Sequence, residues 1–273
     1  MERRSAALPH GALSVLEAGA GEALVLLHGV GSAARSWRAQ IEALSATHRV
    51  LAWDAPGYGD SAPLPAEAPD AGDYAQAVAD WLDATGVGRA HVVGHSLGAL
   101  IAARFARLHP ARTLSLTLAS CALGHARLPA EERTRLLESR LADVRDLGPR
   151  GMAEKRGPRL LAPGADPALV AGVVDAMASV RPHGYAQAAR MLSGGDLVGD
   201  LRALPADPPV QFVWGSADVI TPPAANETAA AARPDAPRHV IAGAGHACYI
   251  ERASTFNDIV ATFTRSHGQG RGL

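Results

Sequence analysis

Residues 91–108 read HVVGHSLGALIAARFARL, and this stretch decides the fold expected for the chain. Its apolar start is typical of a buried strand, and the aliphatic residues of 97–108 favour a helix. Between them, Gly94, Ser96 and Gly98 form a G-x-S-x-G pattern, which predicts a sharp strand-to-helix turn with the serine exposed at its apex. The dipole of the following helix would favour negative charge there. Ser96 is therefore the candidate nucleophile.

The alternation of short apolar runs and amphipathic segments continues on both sides of this turn. Runs with the length and apolar character of strands occur at 23–27, 49–53, 91–94, 114–119, 210–214 and 238–241. Segments with helical periodicity lie at 36–45, 74–85, 97–108, 222–233 and 254–265. Continuous apolar strands that alternate with helices predict an α/β fold, in which a mostly parallel sheet is covered by helices on both faces.

The alternation stops between residues 122 and 202, where helical stretches are separated by glycine and proline and no convincing buried strand occurs. The clearest helical stretches are 133–144, 167–180 and 185–192. We therefore expect an α/β core, residues 1–121 and 203–273, with an inserted helical cap, residues 122–202, that acts as a lid over an active site. An ordinary helical subdomain without a gating role is the alternative. The glycine-rich tail, residues 266–273, is expected to fray.

Composition limits the function classes. Hydrophobic residues make up 48% of the 273 residues and charged residues 19%, which suits a large buried core. The net charge of −1 provides no basic field for nucleic acid or anionic lipid, and no apolar run is long enough to span a membrane. We therefore expect a cytoplasmic protein that acts on a small-molecule substrate, without nucleic-acid or membrane partners. A homodimer is left open.

Metal and redox chemistry are not expected. Cys121 and Cys248 do not lie in a spacing typical of a metal or disulfide site, so both are expected to be reduced thiols. The sequence contains no cluster of ligands that would hold a metal ion or an organic cofactor. No cofactor is therefore expected.

A serine hydroxyl is a weak nucleophile near neutral pH, so Ser96 needs a base, and the base needs an orienting acid. In this strand-turn-helix context the expected chain order is serine, acid, histidine. The run at 210–214 leads into Asp218, and the last run leads through small residues into His246. Both would lie at the carboxyl ends of strands, where open α/β sheets bind ligands. Three other aspartates compete for the acid role but follow no strand: Asp196, Asp200 and Asp207.

The glycines of His28-Gly29-Val30-Gly31 follow the first apolar run and would let backbone N–H groups turn toward a ligand. The N–H groups of Val30 and Leu97 are the candidates for an oxyanion hole. We expect His28 to hold this loop through hydrogen bonds rather than to react.

The walls of a substrate pocket are expected to come from the cap and from Trp37, Cys121 and Val219. Because these residues are mostly apolar, an acyl or aryl group would suit them better than a charged group. The cap also carries many arginines, most of which we interpret as a solvated helix face. One of them could pair with a substrate carboxylate.

The run at 49–53 is followed by Asp54-Ala55-Pro56-Gly57-Tyr58-Gly59-Asp60-Ser61, a D-x-P-G-x-G-x-S pattern. Together with G-x-S-x-G it resembles the α/β-hydrolase fold of the esterase, lactonase and carbon–carbon hydrolase group, and the likeness extends over residues 12–265. The resemblance implies a sheet of about eight strands with a helical cap. It also implies a structural role for the D-x-P-G-x-G-x-S stretch.

The same resemblance narrows the reaction. Haloalkane dehalogenases and epoxide hydrolases of this fold use an aspartate nucleophile, whereas this chain has Ser96. Hydrolases of meta-cleavage products usually have asparagines beside the oxyanion loop and before the nucleophile. Residues 31–37 and 94–96 read GSAARSW and GHS, without asparagine. Hydrolysis of a carboxylic ester, aryl esters and lactones included, is therefore favoured. A carbon–carbon hydrolase and a catalytically silent ligand-binding protein are the alternatives.

Overall fold

The computed structural model describes residues 1–268, so most of the tail that is expected to fray lies outside the described residues. Within this range a single sheet runs through the molecule, with the strand order β1-β2-β4-β3-β5-β6-β7-β8. The strands are β1 (Glu2–Leu8), β2 (Gly11–Ala18), β3 (Glu22–Leu27), β4 (His48–Trp53), β5 (Ala90–His95), β6 (Thr113–Ala119), β7 (Val210–Gly215) and β8 (Arg238–Ile241). β1 and β2 pair antiparallel, β2 pairs antiparallel with β4, and the other pairs are parallel.

Helices connect the parallel strands and cover the sheet. Within the described residues they are α1 (Arg38–Leu44), α2 (Ala71–Ala84), α3 (Leu97–Leu108), α4 (Ala130–Arg156), α5 (Pro167–Ala178), α6 (Pro182–Gly194), α7 (Leu197–Ala203), α8 (Pro223–Ala230), α9 (Cys248–Glu251) and α10 (Ala253–Ser266). The mostly parallel α/β architecture expected from the sequence is confirmed. Every predicted strand is present, with each end within one residue of the expected position.

The central strand β3 shows why continuous apolar runs mark this sheet. Leu24 and Leu26 are fully buried in the cluster on the α1 and α10 face, while Val25 and Leu27 are buried on the α2 and α3 face. Successive side chains of a strand point to opposite faces of the sheet. A strand that is buried on both faces is therefore apolar along its whole length.

The N-terminal hairpin was not expected from the sequence pattern. β1 is an edge strand in which only Ala6 and Leu8 are buried, so it lacks the continuous apolar run of the parallel strands. Its charged residues lie on the exposed side, as edge strands commonly require. The sheet therefore begins with two antiparallel strands, which precede the predicted alternation of strands and helices.

The segment between β6 and β7 contains α4 to α7, and no strand is found in that part of the described chain. α4 consists of two helical segments that meet at a kink at Gly148, next to Pro149. Gly148 adopts φ 66° and ψ 172° at the break. The helical character of the insertion is thus observed, while its division from the core at residues 122 and 202 stays a prediction. No helix within residues 1–268 has the length and apolar character needed to cross a membrane.

Specific contacts hold the insertion on the core. The Cα of Gly184 in α6 packs directly on Gly57, which follows β4 and adopts φ 83°. The Arg181 Nε donates to the carbonyl of Gly57 at 3.1 Å, and the Gln187 amide donates to the carbonyl of Leu64 at 2.8 Å. At the other end of the insertion, Asp200 of α7 pairs with two arginines of α3, Arg104 and Arg107.

We predict that Gly184→Ala destabilises the protein, because the new Cβ would lie 2.1 Å from the carbonyl oxygen of Gly57. Overpacking of this kind costs about 1–3 kcal/mol. Gly194→Ala, in the same helix, is the matched control, since no atom lies within 4 Å of its Cβ position. The free energy of unfolding in urea should fall for the first variant and stay unchanged or rise for the second. Equal stability of the two variants would contradict the tight α6 contact.

Candidate active site

Ser96 lies at the turn between β5 and α3, near the middle of the sheet. Its backbone adopts φ 56° and ψ −114°, a conformation that is strained for a residue with a side chain. The amide of Ser96 donates to the carbonyl of Ala119 at 2.9 Å, and the amide of Ala122 donates to the carbonyl of Ser96 at 3.4 Å. The neighbouring strand β6 therefore holds the turn from both sides.

The two glycines of the G-x-S-x-G pattern are required by contacts of the backbone. A Cβ on Gly94 would lie 2.2 Å from the carbonyl oxygen of Gly98, and a Cβ on Gly98 would lie 2.1 Å from that of Leu27. Such distances are far below van der Waals contact. Helix α3 can therefore start this close to β3 and β5 only with glycine at both positions.

Asp218 and His246 lie after the adjacent strands β7 and β8 and form a buried hydrogen-bonded pair. The Nδ1 of His246 is 2.9 Å from the Oδ2 of Asp218, and the two side chains are almost completely buried. Because Nδ1 is engaged in this way, Nε2 is the ring nitrogen left for a partner in the cavity. The chain order and strand-end placement expected for the acid and base are observed.

The surroundings of Asp218 keep its carboxylate charged. The amides of Ile220 and Thr221 donate to Oδ1 at 2.8 and 2.9 Å, and the hydroxyl of Thr221 donates to Oδ2 at 2.8 Å. Burial alone would raise the pKa of Asp218, but the hydrogen bonds from His246 and Thr221 outweigh it, so the pKa lies below its usual value. Asp218 can therefore stabilise a positive charge on the imidazole.

Ser96 and His246 open on the same cavity, which has a volume of about 700 Å³. The core contributes the loop around Val30, together with Cys121 and Tyr249, to the wall. The insertion contributes residues of α4, α5 and α6, Met177 and Tyr185 among them. A nucleophile candidate and an oriented imidazole thus face one enclosed space that a small molecule can fill.

A family model described as "Alpha/beta hydrolase family" matches residues 24–259. The chain belongs to this family. The resemblance to the esterase and lactonase group noted from the sequence is therefore confirmed, and the family supports hydrolysis as the reaction class.

Similar proteins include both hydrolases and a part of a larger enzyme. The putative carbamate hydrolase RutD of Variovorax paradoxus (strain S110) is 32% identical over 255 residues, which cover 89% of this chain and 91% of that protein. A dihydrolipoyllysine-residue acetyltransferase component of an acetoin cleaving system from Pseudomonas putida is also 32% identical over 255 residues, 90% of this chain. This chain spans only 64% of that protein's length.

Solved structures of two hydrolases superpose on nearly the whole chain. A thermophilic esterase from Thermogutta terrifontis has a TM-score of 0.86 and 26% identity, with 98% of this chain and 100% of that chain covered. The enol-lactonase from Burkholderia xenovorans LB400 has a TM-score of 0.84 and 25% identity, with 96% of this chain and 100% of that chain covered.

The candidate oxyanion amides of this hydrolase lie on the two sides of the serine. Val30 lines the cavity in the loop after β3, and Leu97 is the first residue of α3. Within residues 1–268, neither amide donates to a protein acceptor. Gly29 brings the two segments together, since a Cβ there would lie 3.0 Å from the Cβ of Ser96. Two unused N–H groups beside a candidate nucleophile could donate hydrogen bonds to a developing oxyanion.

His28 holds the oxyanion loop, in agreement with the structural role expected for it. Its Nδ1 contacts the carbonyl of Gly29 at 2.8 Å, and its Nε2 accepts from the amide of Ala55 at 3.0 Å. Burial lowers the pKa of His28, so the ring stays neutral and can accept through Nε2. The D-x-P-G-x-G-x-S stretch continues this support, because Asp54 accepts the amide of Ala34 at 2.9 Å.

Two of the expected pocket residues lie elsewhere in the described structure. Trp37 is fully buried and stacks on Tyr249 with 4.2 Å between ring centroids, so it supports a wall residue without reaching the cavity. Val219 is 56% exposed, because the two amides that bind Asp218 Oδ1 turn the loop so that Ile220 faces the cavity instead. Cys121 does line the cavity, and burial raises the pKa of its thiol.

Of the three competing aspartates, two have structural partners and the third, Asp207, is exposed. Asp196 caps α7 by accepting from the amide of Gly199 and pairs with Arg127. Asp200 is buried against α3, as described above. Asp207 precedes β7 and is joined to Pro208 by a cis peptide bond. The Asp218–His246 hydrogen bond makes Asp218 the acid of the pair.

The sequence interpretation missed the supports of His246. The Nε2 of His95 donates to the carbonyl of His246 at 2.9 Å, and the hydroxyl of Thr221 lies 3.1 Å from Nδ1 of His246. Burial and the neighbouring His246 lower the pKa of His95 to about 3, so it remains a neutral donor. A hydroxyl residue three positions after the acid is typical of a turn that binds its own aspartate, and this signal was present in the sequence.

We predict that Thr221→Val lowers the free energy of unfolding by about 1–3 kcal/mol near neutral pH, because a buried acceptor of Asp218 loses its donor. The lowered pKa of Asp218 stabilises the fold above the pKa of the unfolded carboxyl, and this contribution is lost as the pH falls through the folded value. The difference in the free energy of unfolding between wild type and Thr221→Val should therefore become smaller below about pH 4.

Urea unfolding over a series of pH values checks this expectation. Thr221→Ser keeps the hydroxyl and is the control, which should track the wild type across the whole series. A difference between the valine variant and wild type that stays constant down to about pH 3 would show that lost packing, and not the carboxylate, is responsible.

Proposed function

We propose that this protein is a serine hydrolase that cleaves carboxylic esters, aryl esters and lactones included, through an acyl-enzyme on Ser96. The observation that supports this most strongly is the buried Asp218–His246 hydrogen bond, which orients an imidazole toward the cavity that also contains the strained serine. A nucleophile, a base and an orienting acid in this relation are the elements of acyl transfer.

In the first step, the Oγ of Ser96 attacks the ester carbonyl carbon while its proton moves to Nε2 of His246. Asp218 accepts the Nδ1–H, which fixes the tautomer in which Nε2 is the base. The lowered pKa of Asp218 keeps the carboxylate ionised as the imidazolium forms, so the two charges stabilise each other in a buried site.

The negative charge that develops on the carbonyl oxygen is stabilised by the N–H groups of Val30 and Leu97. Each such donor contributes about 2.7–4 kcal/mol of transition-state stabilisation in hydrolases where one has been removed. Because both amides have no protein acceptor within residues 1–268, no hydrogen bond has to be broken before they act.

Collapse of the tetrahedral intermediate breaks the ester bond, and the leaving alcohol takes the proton from Nε2 of His246. A water molecule then attacks the acyl carbon as His246 removes its proton, and the acid leaves with the Ser96 hydroxyl restored. The helices of the insertion that cover the cavity limit the access of bulk water, which is the role we propose for a lid. This route uses no metal or organic cofactor.

A carbamate is the second candidate substrate, because a relative named as a carbamate hydrolase is similar over 91% of its own length. Its carbonyl would be attacked by Ser96 in the same way, and the oxyanion would be bound by the same amides. A carbon–carbon hydrolase and a silent ligand-binding protein are the remaining alternatives.

We predict that the purified protein hydrolyses p-nitrophenyl acetate and p-nitrophenyl butyrate at neutral pH without added metal, and that Ser96→Ala lowers kcat by about 10³–10⁶-fold. The loss is expected because the variant lacks the hydroxyl that forms the acyl-enzyme. Release of p-nitrophenolate under saturating substrate provides the measurement. Ser254→Ala, at an exposed position in α10, is the control and should retain full activity.

The outcome separates the alternatives. If a p-nitrophenyl carbamate is cleaved faster than both esters, carbamates replace esters as the substrate class. If wild type and Ser96→Ala cleave the esters equally well, Ser96 is not the nucleophile. If neither ester nor carbamate is cleaved, the ester hydrolase assignment fails in favour of one of the remaining alternatives.

A further inference from the structure

The cavity wall is more positive than the sequence suggested. Five arginines line it, against a single carboxylate, that of Glu42, among residues 1–268: Arg35, Arg38, Arg140, Arg156 and Arg159. The acid of the candidate triad lies behind His246 and does not line this space. Such an excess of one charge in an enclosed cleft attracts ligands of the opposite charge.

Three of these arginines have partners within the protein. Arg38 pairs with Glu42 at 2.7 Å, and Arg156 pairs with the buried Asp143. Arg35 donates to the carbonyl of Asp175 at 2.7 Å and to the hydroxyl of Ser179 at 3.0 Å, which ties the oxyanion side of the core to α5. Their guanidinium groups are therefore occupied by the fold.

Arg140 is different. It is only partly exposed and projects from α4 into the cavity wall, and within the described chain it has no carboxylate or carbonyl partner. Arg159 also lacks a partner in that range, but it is exposed to solvent. None of the Arg140 nitrogens is among the buried side-chain atoms without a partner, so its donors can be reached from the cavity. Arg140 thus has unused donors that point to a ligand in the cavity.

His125 lines the same part of the cavity. Its Nδ1 is buried and has no hydrogen-bond partner within residues 1–268. Burial lowers the pKa of His125 and the nearby charge of Arg140 lowers it further, so the ring is a neutral N–H donor. The guanidinium of Arg140 and the ring of His125, whose Nε2 is not among the buried atoms without a partner, therefore lie together on one region of the cavity wall.

The distance from the serine can be bounded along the chain. The amide of Ala122 contacts the carbonyl of Ser96, and His125 follows three residues later in the same loop. Three residues of extended chain span at most about 11 Å. His125 and Arg140 line the cavity that Ser96 also lines, so an acyl chain bound at Ser96 extends within the same space as these two side chains.

We propose that Arg140 and His125 bind a carboxylate on the acyl part of the substrate, a few bonds from the carbonyl that Ser96 attacks. The substrate class is then an ester or lactone of a short dicarboxylic acid, with its second carboxylate free. This inference rests on the proposed hydrolase function and replaces the expectation of a mainly apolar acyl or aryl group.

The chemistry of the two side chains suits this role. A guanidinium presents paired N–H groups that match the two oxygens of a carboxylate, and an imidazole N–H can add a further hydrogen bond. A neutral acyl chain would displace water from both groups without offering them an acceptor. The site therefore favours substrates with a carboxylate over neutral substrates. Arg35 and Arg159, which have no carboxylate partner within residues 1–268, add a general attraction for anions.

Two substrates with the same leaving group test the proposal: p-nitrophenyl butyrate, which is neutral, and the mono-p-nitrophenyl ester of glutaric acid, which carries a free carboxylate. Wild type should prefer the anionic ester in kcat/KM. Arg140→Gln should lower kcat/KM for the anionic ester by about tenfold or more, mainly through KM, and change that for butyrate by less than about twofold. Unchanged hydrolysis of butyrate also shows that the variant folds.

Arg135→Gln is the matched control, because Arg135 lies on the same helix and is 70% exposed. It removes the same charge from the protein and should leave the substrate preference intact. If the two arginine variants have the same effect, the attraction is general and the Arg140 site is disproved. Arg140→Lys should recover only part of the preference, since an ammonium cannot form the paired hydrogen bonds.

Binding without turnover separates this proposal from the hydrolase function. Calorimetry with glutarate, the product acid, should show binding to Ser96→Ala and at least a tenfold weaker affinity, about 1.4 kcal/mol, when Arg140→Gln is added. Arg140-dependent binding with no hydrolysis of either ester would keep the carboxylate site and overturn the ester hydrolase. Hydrolysis of butyrate without Arg140-dependent glutarate binding would overturn the carboxylate site alone.

Discussion

The close approach of α3 to the central strands is the constraint on which the rest of the site depends. Gly98 lies against the carbonyl of Leu27, and Gly94 lies against that of Gly98, at distances that no side chain could occupy. Because β5 must turn into α3 within this space, Ser96 is forced to φ 56° and its side chain is carried to the carboxyl edge of the sheet. The same approach brings the loop after β3, with its glycines, next to the first amide of α3. Nucleophile and oxyanion donors are therefore positioned by one packing constraint.

Two neutral histidines connect this part of the structure to neighbouring loops through hydrogen bonds. His28 joins the loop after β3 to the one after β4, and His95 donates to the backbone of His246. Burial lowers the pKa of both, so each keeps one donor and one acceptor nitrogen through the physiological range. A charged or doubly donating ring could not accept the amide of Ala55. The buried imidazoles of His28 and His95 thus act as fixed hydrogen-bonding spacers, whereas the imidazole of His246 is hydrogen-bonded to the carboxylate of Asp218.

The sequence predicted those features that depend on the period of a strand or on chain order. Six parallel strands were apparent because burial on both faces leaves continuous apolar runs, and Asp218 and His246 were found because each follows such a run. β1 was missed because only Ala6 and Leu8 are buried in it, and β2 was missed because its buried stretch, residues 13–16, is interrupted by a serine and lies between exposed and partly exposed residues. Trp37 and Val219 do not line the cavity, whereas their neighbours Ser36 and Ile220 do. The hydrogen bonds of a turn decide which side chains of a loop face a cavity. The hydropathy of the sequence does not predict those hydrogen bonds.

Some charged residues of the insertion form ion pairs that stabilise the fold, whereas Arg140 is left unpaired in the described part of the chain. Asp143 is buried between Lys155 and Arg156, and Asp196 holds Arg127, so the insertion supplies acids where arginines need them. Among residues 1–268, no carboxylate pairs with Arg140 on the inner face. A chain optimised only for stability would pair such a group, because an ion pair compensates the partial loss of its hydration. An unpaired charge is expected where a ligand supplies its partner, and Arg140 lies in the wall of the cavity onto which Ser96 opens.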